Sequence, residues 1–197
     1  MTSLRHIPPS ESTFLDAARA CILDVGWRRT TLTEVARRAG VSRMTIYRTW
    51  ADMPTLLGDL MTREWMRIVA TNRTGDAFVG ADSVAGLVER VVTTIRALRH
   101  NELYVRIVEL DPELVLPYLL SRRGRSQDHV LRLTERAIAD GQAAGLVRAG
   151  DPATMARALV LAAHGFVLSS HTMLDDDVDQ DALDAELTLL LTRALVP

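Results

Sequence analysis

The stretch RRTTLTEVARRAGVSRMTIYRTW, residues 28–50, predicts two short helices joined by a tight turn. Thr31 and Glu34 stand at the Ser/Thr-x-x-Glu spacing of a capping box, which is typical of a helix N-terminus. Gly40 follows at the position where a residue with left-handed backbone ends a helix without steric cost. Ser42 then offers its hydroxyl as the N-cap of a second helix. This pattern is typical of a helix-turn-helix that binds DNA.

The second helix, Arg43 to about Thr49, carries the residue types that proteins use against DNA. Ile46 is expected to face inward, so the outward positions are Arg43, Met44, Thr45, Tyr47 and Arg48. An arginine guanidinium can pair with guanine or phosphate, and hydroxyl groups reach phosphate oxygens. We therefore predict that this helix contacts DNA. The alternative is that the hairpin is only an alanine- and arginine-rich scaffold.

Residues 10–60 resemble the N-terminal part of the TetR family of transcriptional regulators, in which an apolar first helix precedes the helix-turn-helix. The matching positions are Phe14, Ala17, Ala18, Gly26, Thr31, Val35, Ala36, Ala39, Gly40, Val41, Ser42, Thr45, Ile46, Tyr47 and Trp50. The resemblance implies an all-α fold, in which a three-helix DNA-binding head precedes a helical body that binds an effector and dimerises.

The resemblance also implies which residues contact DNA. The predicted set is Thr31, Thr33, Ser42, Arg43, Met44, Thr45, Tyr47 and Arg48. One position departs from the family pattern, because Met53 stands where members often have a lysine that binds phosphate. Asp52 is a good N-cap for the helix that follows, although its carboxylate repels phosphate. A helical small-molecule-binding protein with weakened or lost DNA binding is therefore the alternative function.

The rest of the chain also has helical periodicity, without strand-like alternation. We predict an arm at 1–9, a helix-turn-helix domain at 10–52, a linking helix at 53–73 and an effector-binding and dimerisation domain at 74–197. Apolar periodicity and breaks at glycine or proline predict helices at about 53–72, 82–100, 102–110, 113–120, 125–144, 152–174 and 182–195.

The last two predicted helices, about 152–174 and 182–195, are the pair that the family uses for dimerisation. A row of small residues on the first of them permits close helix approach: Ala158, Ala162, Gly165 and Ser169. Leu183, Leu187, Leu190 and Ala194 give the second a parallel stripe. We predict a homodimer whose recognition helices lie ~34 Å apart and read a palindromic operator. A wholly intramolecular role for these helices is the alternative.

The body is expected to hold a small apolar or amphipathic effector, because charged residues are scarce on its inward faces. Candidate lining residues are Trp65, Leu103, Tyr104, Ile107, Tyr118, Leu119, Leu133 and Phe166. Pockets and cores draw on the same residue types, so ordinary core packing is the alternative for each.

Charge is unevenly distributed along the 197 residues, although the net charge is −2. Residues 1–73 carry 11 Arg against 7 acidic residues, a balance of +4, whereas residues 74–197 carry 12 against 18, a balance of −6. A basic head favours salt-sensitive DNA binding. Cys21 is the only cysteine, which fits a reducing cytoplasm. The longest apolar run, 158–168, is too short to span a bilayer, so we expect no membrane partner.

Motifs for catalysis or metal binding are weak. The sequence contains no nucleophile elbow, phosphate-binding glycine loop or HExxH motif. His164 and His171 share a helical face but lack further ligands. Five acidic residues follow the spacing of a calcium loop, namely Asp175, Asp177, Asp179, Asp181 and Glu186, but Gln180 stands where glycine makes the turn. We therefore expect no enzyme activity, cofactor or bound metal.

Overall fold

The computed structural model describes residues 11–71 and 83–197. Ten α-helices occur in these ranges: α1 (Glu11–Val25), α2 (Leu32–Arg38), α3 (Arg43–Tyr47), α4 (Met53–Thr71), α5 (Val84–Arg99), α6 (Glu102–Leu110), α7 (Leu116–Leu120), α8 (Arg125–Ala143), α9 (Pro152–Ser169) and α10 (Gln180–Leu195). Three-residue or four-residue 3-10 turns lie at Trp27–Arg29, Pro112–Leu114 and Ser170–Met173. No β-strand occurs within the described ranges, and the predicted all-α fold is confirmed.

The first of two compact units contains the chain up to Glu64 together with Glu102–Arg122. Its core is built by α1, α2, α3, the first part of α4, and α6. Trp50 is fully buried at the end of the helix-turn-helix and meets the Phe14 ring edge to face, with centroids 5.6 Å apart. The Trp50 indole N–H donates to the Asp59 carboxylate at 2.8 Å. These contacts fix the hairpin against α1 and α4.

The segment 102–122 packs with this head-containing unit, whereas the sequence interpretation assigned it to the effector-binding domain. Leu103 and Ile107 of α6 are buried in the same core as α1. Two ion pairs add to this packing, because Arg19 meets Glu102 at 3.1 Å and Arg28 meets Glu113 at 2.7 Å. The amphipathic pattern of α6 predicted a helix correctly, but it does not identify the partner against which a helix packs.

The second unit contains Trp65–Asn101 and Arg123–Pro197. Within it α5 packs against α9 and α10, and α8 packs against α9. Asp184 of α10 is buried in this unit, with 1% of its side chain exposed, and accepts hydrogen bonds from Arg96 at 2.6 Å and Arg99 at 2.7 Å. Burial favours the neutral acid, but the hydrogen bonds from both arginines prevail and lower the pKa of Asp184.

Several helix boundaries differ from the predicted ones. The predicted helix 113–120 splits into a 3-10 turn and α7, because Pro117 has no N–H to continue an earlier helix. The predicted helix 152–174 is α-helical only to Ser169, after which the chain forms a 3-10 turn. The last helix begins at Gln180, because the Asp179 carboxylate caps it by accepting from the Ala182 N–H at 2.8 Å. The predicted arm at 1–9 lies outside the described residues.

Candidate DNA-binding surface and effector cavity

The N-terminus of α2 is capped by one half of the predicted capping box. The Thr31 hydroxyl accepts a hydrogen bond from the Glu34 N–H at 3.2 Å. The Glu34 carboxylate does not complete the box by reaching back, because it accepts from the Arg37 guanidinium at 2.6 Å and 3.0 Å. This hydrogen bonding by Arg37 lowers the pKa of Glu34. The Thr31 cap is thus confirmed, and the reciprocal Glu34 contact was a wrong prediction.

The turn between α2 and α3 has the predicted left-handed residue. Gly40 has a φ of +70°, and the following Val41 N–H donates to the Ala36 carbonyl at 3.0 Å. A Cβ atom at Gly40 would meet nothing within 4 Å, so the backbone angle alone favours glycine here. Ser42 accepts from the Thr45 N–H at 3.2 Å, which confirms it as the N-cap of α3. The turn therefore fixes the direction in which α3 leaves α2.

The outward face of α3 presents most of the predicted DNA contacts to solvent. Arg43, Tyr47 and Arg48 are exposed, and Met44 is 74% exposed, while Ile46 on the opposite face is fully buried. Thr31 and Thr33 are also exposed. Ser42 and Thr45 differ from this group, because their hydroxyls lie 2.8 Å apart and bond to each other. Their first role is structural, and their predicted contact with DNA remains a prediction.

The Arg43 guanidinium lies 5.2 Å from the centroid of the Tyr47 ring, a cation–π contact between neighbours on the same helical face. Within the described chain, no acidic side chain pairs with Arg43, Arg48 or Arg29. By contrast, Arg28 pairs with Asp111 and Glu113, Arg37 with Glu34, and Arg38 with Asp24. The unpaired guanidinium groups are therefore available for phosphate or base contacts. Arg29, which immediately precedes Thr30 and Thr31, is exposed as well but was not among the predicted DNA contacts.

The N-terminus of α4 carries the negative charge of Asp52, and the next residue, Met53, stands where the family pattern often has a lysine. The Asp52 carboxylate accepts hydrogen bonds from the side chain and the N–H of Thr55, which lower its pKa; the N–H lies 2.8 Å away. Asp52 is thus an ionised N-cap, as the sequence predicted. Met53 is half-buried and packs against the core of the first unit. Neither residue replaces the missing lysine as a phosphate ligand.

The second unit contains a cavity with about 760 Å³ of empty space, a figure that includes open solvent. Its walls come from the second part of α4 and from α5, α8 and α9. The lining comprises Trp65, Val69, Val91, Thr94, Ile95, Leu98, Ser126, Gln127, Val130, Leu133, Thr134, Leu159, Val160, Ala163, His164 and Val167.

Two of the eight predicted effector residues line this cavity, Trp65 and Leu133. The other six lie outside its lining: Leu103, Tyr104, Ile107, Tyr118, Leu119 and Phe166. The reasons differ, because Leu103 and Ile107 fill the core of the first unit, whereas Phe166 packs against the core of the second. Burial raises the pKa of Tyr104 to about 12. Effector contact by any of the eight remains a prediction.

Polar groups in the cavity wall are few. The lining residues within the described ranges include no arginine, aspartate or glutamate, and His164 is their only ionisable side chain near neutral pH. Burial lowers the pKa of His164, so that its imidazole is neutral at pH 7. The Trp65 indole N–H is buried and has no hydrogen-bond partner among the described residues. The Thr134 hydroxyl donates within α8 to the Val130 carbonyl at 2.9 Å.

The small-residue row on α9 lies on the outside of the second unit. Ala158, Ala162, Gly165 and Ser169 are exposed. Leu161 on the same side is 70% exposed. The segment Pro152–Met173 is also long and apolar enough, by length and composition alone, to cross a membrane. A core helix of a soluble protein meets the same criteria, and α9 packs against α5 and α8.

The stripe predicted on α10 is divided between two surfaces. Leu187 is buried in the core of the second unit, whereas Leu190 and Ala194 are exposed and Leu183 is half-buried. The helix buries Leu187, Leu191 and Leu195 instead, which follow one face at a spacing of four residues. The predicted stripe Leu183, Leu187, Leu190 and Ala194 thus crosses from the buried face to the exposed face of α10, and its role in dimerisation remains a prediction.

The acidic loop before α10 uses its carboxylates for local structure. Asp175 accepts from the N–H groups of Asp177 and Val178, and Asp179 caps α10. His171 lies exposed in the 3-10 turn after α9. In residues 11–71 and 83–197, no group of three or more His, Cys, Asp or Glu side chains is placed to hold a metal ion.

Comparisons with known proteins agree with the geometry of the head. Residues 14–60 match the family model described as bacterial regulatory proteins, tetR family. An uncharacterised HTH-type transcriptional regulator of Mycobacterium bovis, Mb2274c, is 33% identical over 181 residues, which cover 92% of each chain. Among solved structures, the AlkX repressor from Dietzia has a TM-score of 0.64 at 19% identity, covering 97% of this chain and 96% of that one.

The SmeT repressor of Stenotrophomonas maltophilia has the same fold, with a TM-score of 0.61 at 22% identity over 96% of this chain and 92% of that one. The Mycobacterium relative spans both units, and the family match covers the helix-turn-helix with its capped α2, left-handed Gly40 and exposed α3. The chain belongs to the TetR family of DNA-binding transcriptional regulators.

Proposed function

We propose that the protein is a cytoplasmic homodimer that represses transcription from a palindromic operator and is released by a small apolar or amphipathic effector. The observation that carries this proposal is the cavity in the second unit, in a chain whose head presents unpaired arginine side chains on its recognition helix. Two solved structures with this fold, SmeT and AlkX, are described as repressors. SmeT has also been solved in complex with triclosan, a small molecule.

DNA reading is assigned to α3. Arg43 and Arg48 are exposed and lack acidic partners among the described residues, so base or phosphate contacts cost them no existing ion pair. A bidentate arginine contact to guanine contributes ~1–3 kcal/mol of discrimination. Thr31 and Thr33 lie exposed at the start of α2, where hydroxyls and free N–H groups suit phosphate.

Dimerisation is assigned to the exposed sides of α9 and α10. Leu161 of α9 and both Leu189 and Leu190 of α10 are exposed apolar side chains, and α9 also carries the exposed row of small residues. Small residues let two helix backbones approach closely, and apolar side chains around them exclude water. The proposed dimer is expected to present two α3 helices to successive major grooves of a palindromic operator, ~34 Å apart.

Release by the effector is assigned to α4. Its first part contributes Leu56 and Leu60 to the core of the first unit, while Trp65 and Val69 in its second part line the cavity. One continuous helix thus contributes to the core of the first unit and to the cavity wall of the second, and in this proposal an effector that displaces Trp65 moves the head through α4.

The first test is a binding selection from random duplexes with the purified full chain, performed at two salt concentrations. We expect an enriched palindrome whose half-sites lie about one turn apart, and weaker binding at the higher salt concentration. A folded dimer that enriches no sequence would favour the alternative of a helical small-molecule-binding protein with lost DNA binding. That alternative is motivated by the ionised Asp52 and the half-buried Met53 at the N-terminus of α4.

Replacing Arg43 with alanine tests the role of α3. Arg43→Ala should weaken operator binding by ~1–3 kcal/mol and relax the preference at one base pair. Arg136→Ala on α8 is the matched control, because Arg136 is also exposed, and it should leave the selected sequence unchanged. Equal loss of affinity for every duplex in the Arg43→Ala variant would contradict a base-reading role.

A further inference from the structure

Two side chains in the cavity wall, Ser126 and His164, carry polar atoms that are accessible and have no hydrogen-bond partner in the described chain. We propose that the effector is an amphipathic molecule with an uncharged hydroxyl group, such as a long-chain alcohol, and that this group binds Ser126 and His164 at one end of the cavity. The apolar part of the molecule lies toward the other end. This inference rests on the proposed function of the cavity as the effector site, and it adds the head group, the residues that bind it and its direction in the site.

Most polar side chains of the lining are already engaged or sealed. The lining residues with polar side-chain atoms are Trp65, Thr94, Ser126, Gln127, Thr134 and His164. The Trp65 indole N–H is fully buried, so a ligand cannot reach it in this conformation. The Thr134 hydroxyl donates to a backbone carbonyl of α8 at 2.9 Å, and the Gln127 side-chain oxygen accepts from the Gly124 N–H at 2.8 Å. Thr94 also has an interaction of its own.

Ser126 and His164 differ from these four residues. Both side chains are half-buried, but the Ser126 hydroxyl and the His164 ring nitrogens are not sealed from solvent. His164 stands four residues after Val160 and three before Val167, which both line the cavity, so it belongs to the lining face of α9. Burial lowers the pKa of His164, so its neutral imidazole offers one donor and one acceptor nitrogen at pH 7.

The two side chains lie in the same half of the wall that α8 and α9 form. These helices pack against each other and are joined by residues 144–151, so they run antiparallel. The lining on α8 starts at Ser126, which therefore lies near the end of α9, in the half of its lining that includes His164. The opposite half is formed by Leu133, Thr134, Leu159 and Val160, in which the Thr134 hydroxyl is already bonded within α8. The wall thus has a polar end and an apolar end.

A hydroxyl group matches the polar end because it both donates and accepts hydrogen bonds. It can donate to the acceptor nitrogen of His164 and accept from the Ser126 hydroxyl. A carboxylate has no hydrogen to donate, and it would lose its hydration without gaining an ion pair, since the lining has no arginine. An alkane would displace water from both side chains and leave them without partners.

Binding of matched probes to the full chain without DNA tests the head group. The probes are 1-decanol and decanoate, which have the same number of carbon atoms but differ in charge. Titration calorimetry should show 1-decanol binding at least about tenfold more tightly, because the carboxylate finds no counter-charge in the wall. Equal or tighter binding of decanoate would overturn the proposal, as would failure of 1-decanol to bind at all.

Two variants test the assigned residues by comparing 1-decanol with decane. His164→Phe keeps an aromatic ring and removes both nitrogens, and Ser126→Ala removes the hydroxyl. Each should weaken 1-decanol binding by about threefold to tenfold without weakening decane binding. His171→Phe is the matched control, because His171 is exposed and lies outside the lining, and it should change neither affinity. Equal losses for the alcohol and the alkane, or no loss in either variant, would overturn the assignment.

The same probes separate the ligand class from the regulatory function. If 1-decanol binds in this pattern but does not release the operator, the ligand class stands and the proposed release mechanism fails. If decanoate is preferred and also releases the operator, regulation stands and the ligand class is overturned. The binding and release measurements use the same purified full chain, so both outcomes refer to one preparation.

Discussion

The helix-turn-helix and the pair of α5 and α10 each pack on an apolar core, but contacts of very different sequence separation fix their geometry. In the helix-turn-helix, Thr31 caps α2 through Glu34, and Ser42 caps α3 through Thr45, each three residues away. In the second unit, Asp184 joins α10 to α5 through Arg96, 88 positions earlier in the chain. The helix-turn-helix is therefore specified by neighbouring residues, whereas the packing of α10 on α5 depends on residues far apart in the chain.

This difference suggests where each unit is vulnerable. The turn at Gly40 should keep its conformation when distant parts of the protein are changed, but not when a substitution disfavours its own backbone angles. A buried carboxylate between two guanidinium groups tolerates changes in local helix propensity but not the loss of its charge. Substitutions at Asp184, Gly40 and His164 test the comparison with decreasing expected effects.

The largest effect is expected for Asp184→Asn. The substitution keeps the side-chain shape but removes the charge that pairs with Arg96 and Arg99, so unfolding free energy should fall by ~3–5 kcal/mol. Urea denaturation monitored by circular dichroism measures this change in unfolding free energy. Asp140→Asn on the exposed face of α8 is the control, because its ion pair with Arg136 is solvated and should contribute less than ~1 kcal/mol. Similar losses in the two variants would contradict the distinction between buried and exposed pairs.

A smaller effect is expected for Gly40→Ala in the turn of the head. Alanine at a φ of +70° is strained by ~1–2 kcal/mol, although space for the methyl group is open. Gly58→Ala in α4 is the matched control, since its Cβ would also meet nothing within 4 Å but its backbone is helical. That variant should stabilise the protein by ~0.5–1 kcal/mol. Thermal denaturation of both variants measures the contrast, and a stabilised Gly40→Ala variant would show that the turn is not constrained as described.

The head and the cavity also differ in how far the sequence predicts them. Gly40, Thr31 and Ser42 have strong local signals because each acts on backbone groups within a few residues. Leu103 and Leu133 are both leucines on helices, yet one lies in the core of the first unit and the other lines the cavity of the second. Their periodicity shows which side of a helix is apolar, but the partner of that side depends on three-dimensional packing.

Polar residues of the cavity were harder still to predict. The sequence interpretation treated His164 as a weak metal candidate, whereas the structure places it beside α4 and α8 residues in a cavity wall. Competition between side chains also escaped prediction, as when Arg37 engages the Glu34 carboxylate that would have completed the capping box. The cavity position of His164 and the hydrogen bonds between Arg37 and Glu34 both depend on three-dimensional geometry, which the spacing of residues along one segment does not show.

The smallest expected effect concerns the pH dependence that His164 gives the second unit. Burial lowers the pKa of its imidazole, so protonation is less favourable in the folded state than in the unfolded state. The contribution of neutral His164 to the unfolding free energy is fully present above the ordinary histidine pKa of 6.5. This contribution should be lost as the pH falls below that value. His164→Leu should flatten the dependence of unfolding free energy on pH between about pH 7 and pH 5. If the slope of unfolding free energy against pH is unchanged in His164→Leu, other groups cause the pH dependence.

The contact between Arg43 and Tyr47 has a consequence for the entropy of DNA recognition. An exposed arginine loses rotamer freedom when it binds a base, and ordering such a side chain costs ~0.5–1.5 kcal/mol. Stacking on the Tyr47 ring restricts Arg43 before DNA arrives, so less freedom remains to be lost. Arg48, exposed on the same helix without such a ring, has no comparable restraint among the described contacts. If Arg43 reads a base as proposed, it is thus partly preorganised, whereas Arg48 has no such restraining contact in the described chain.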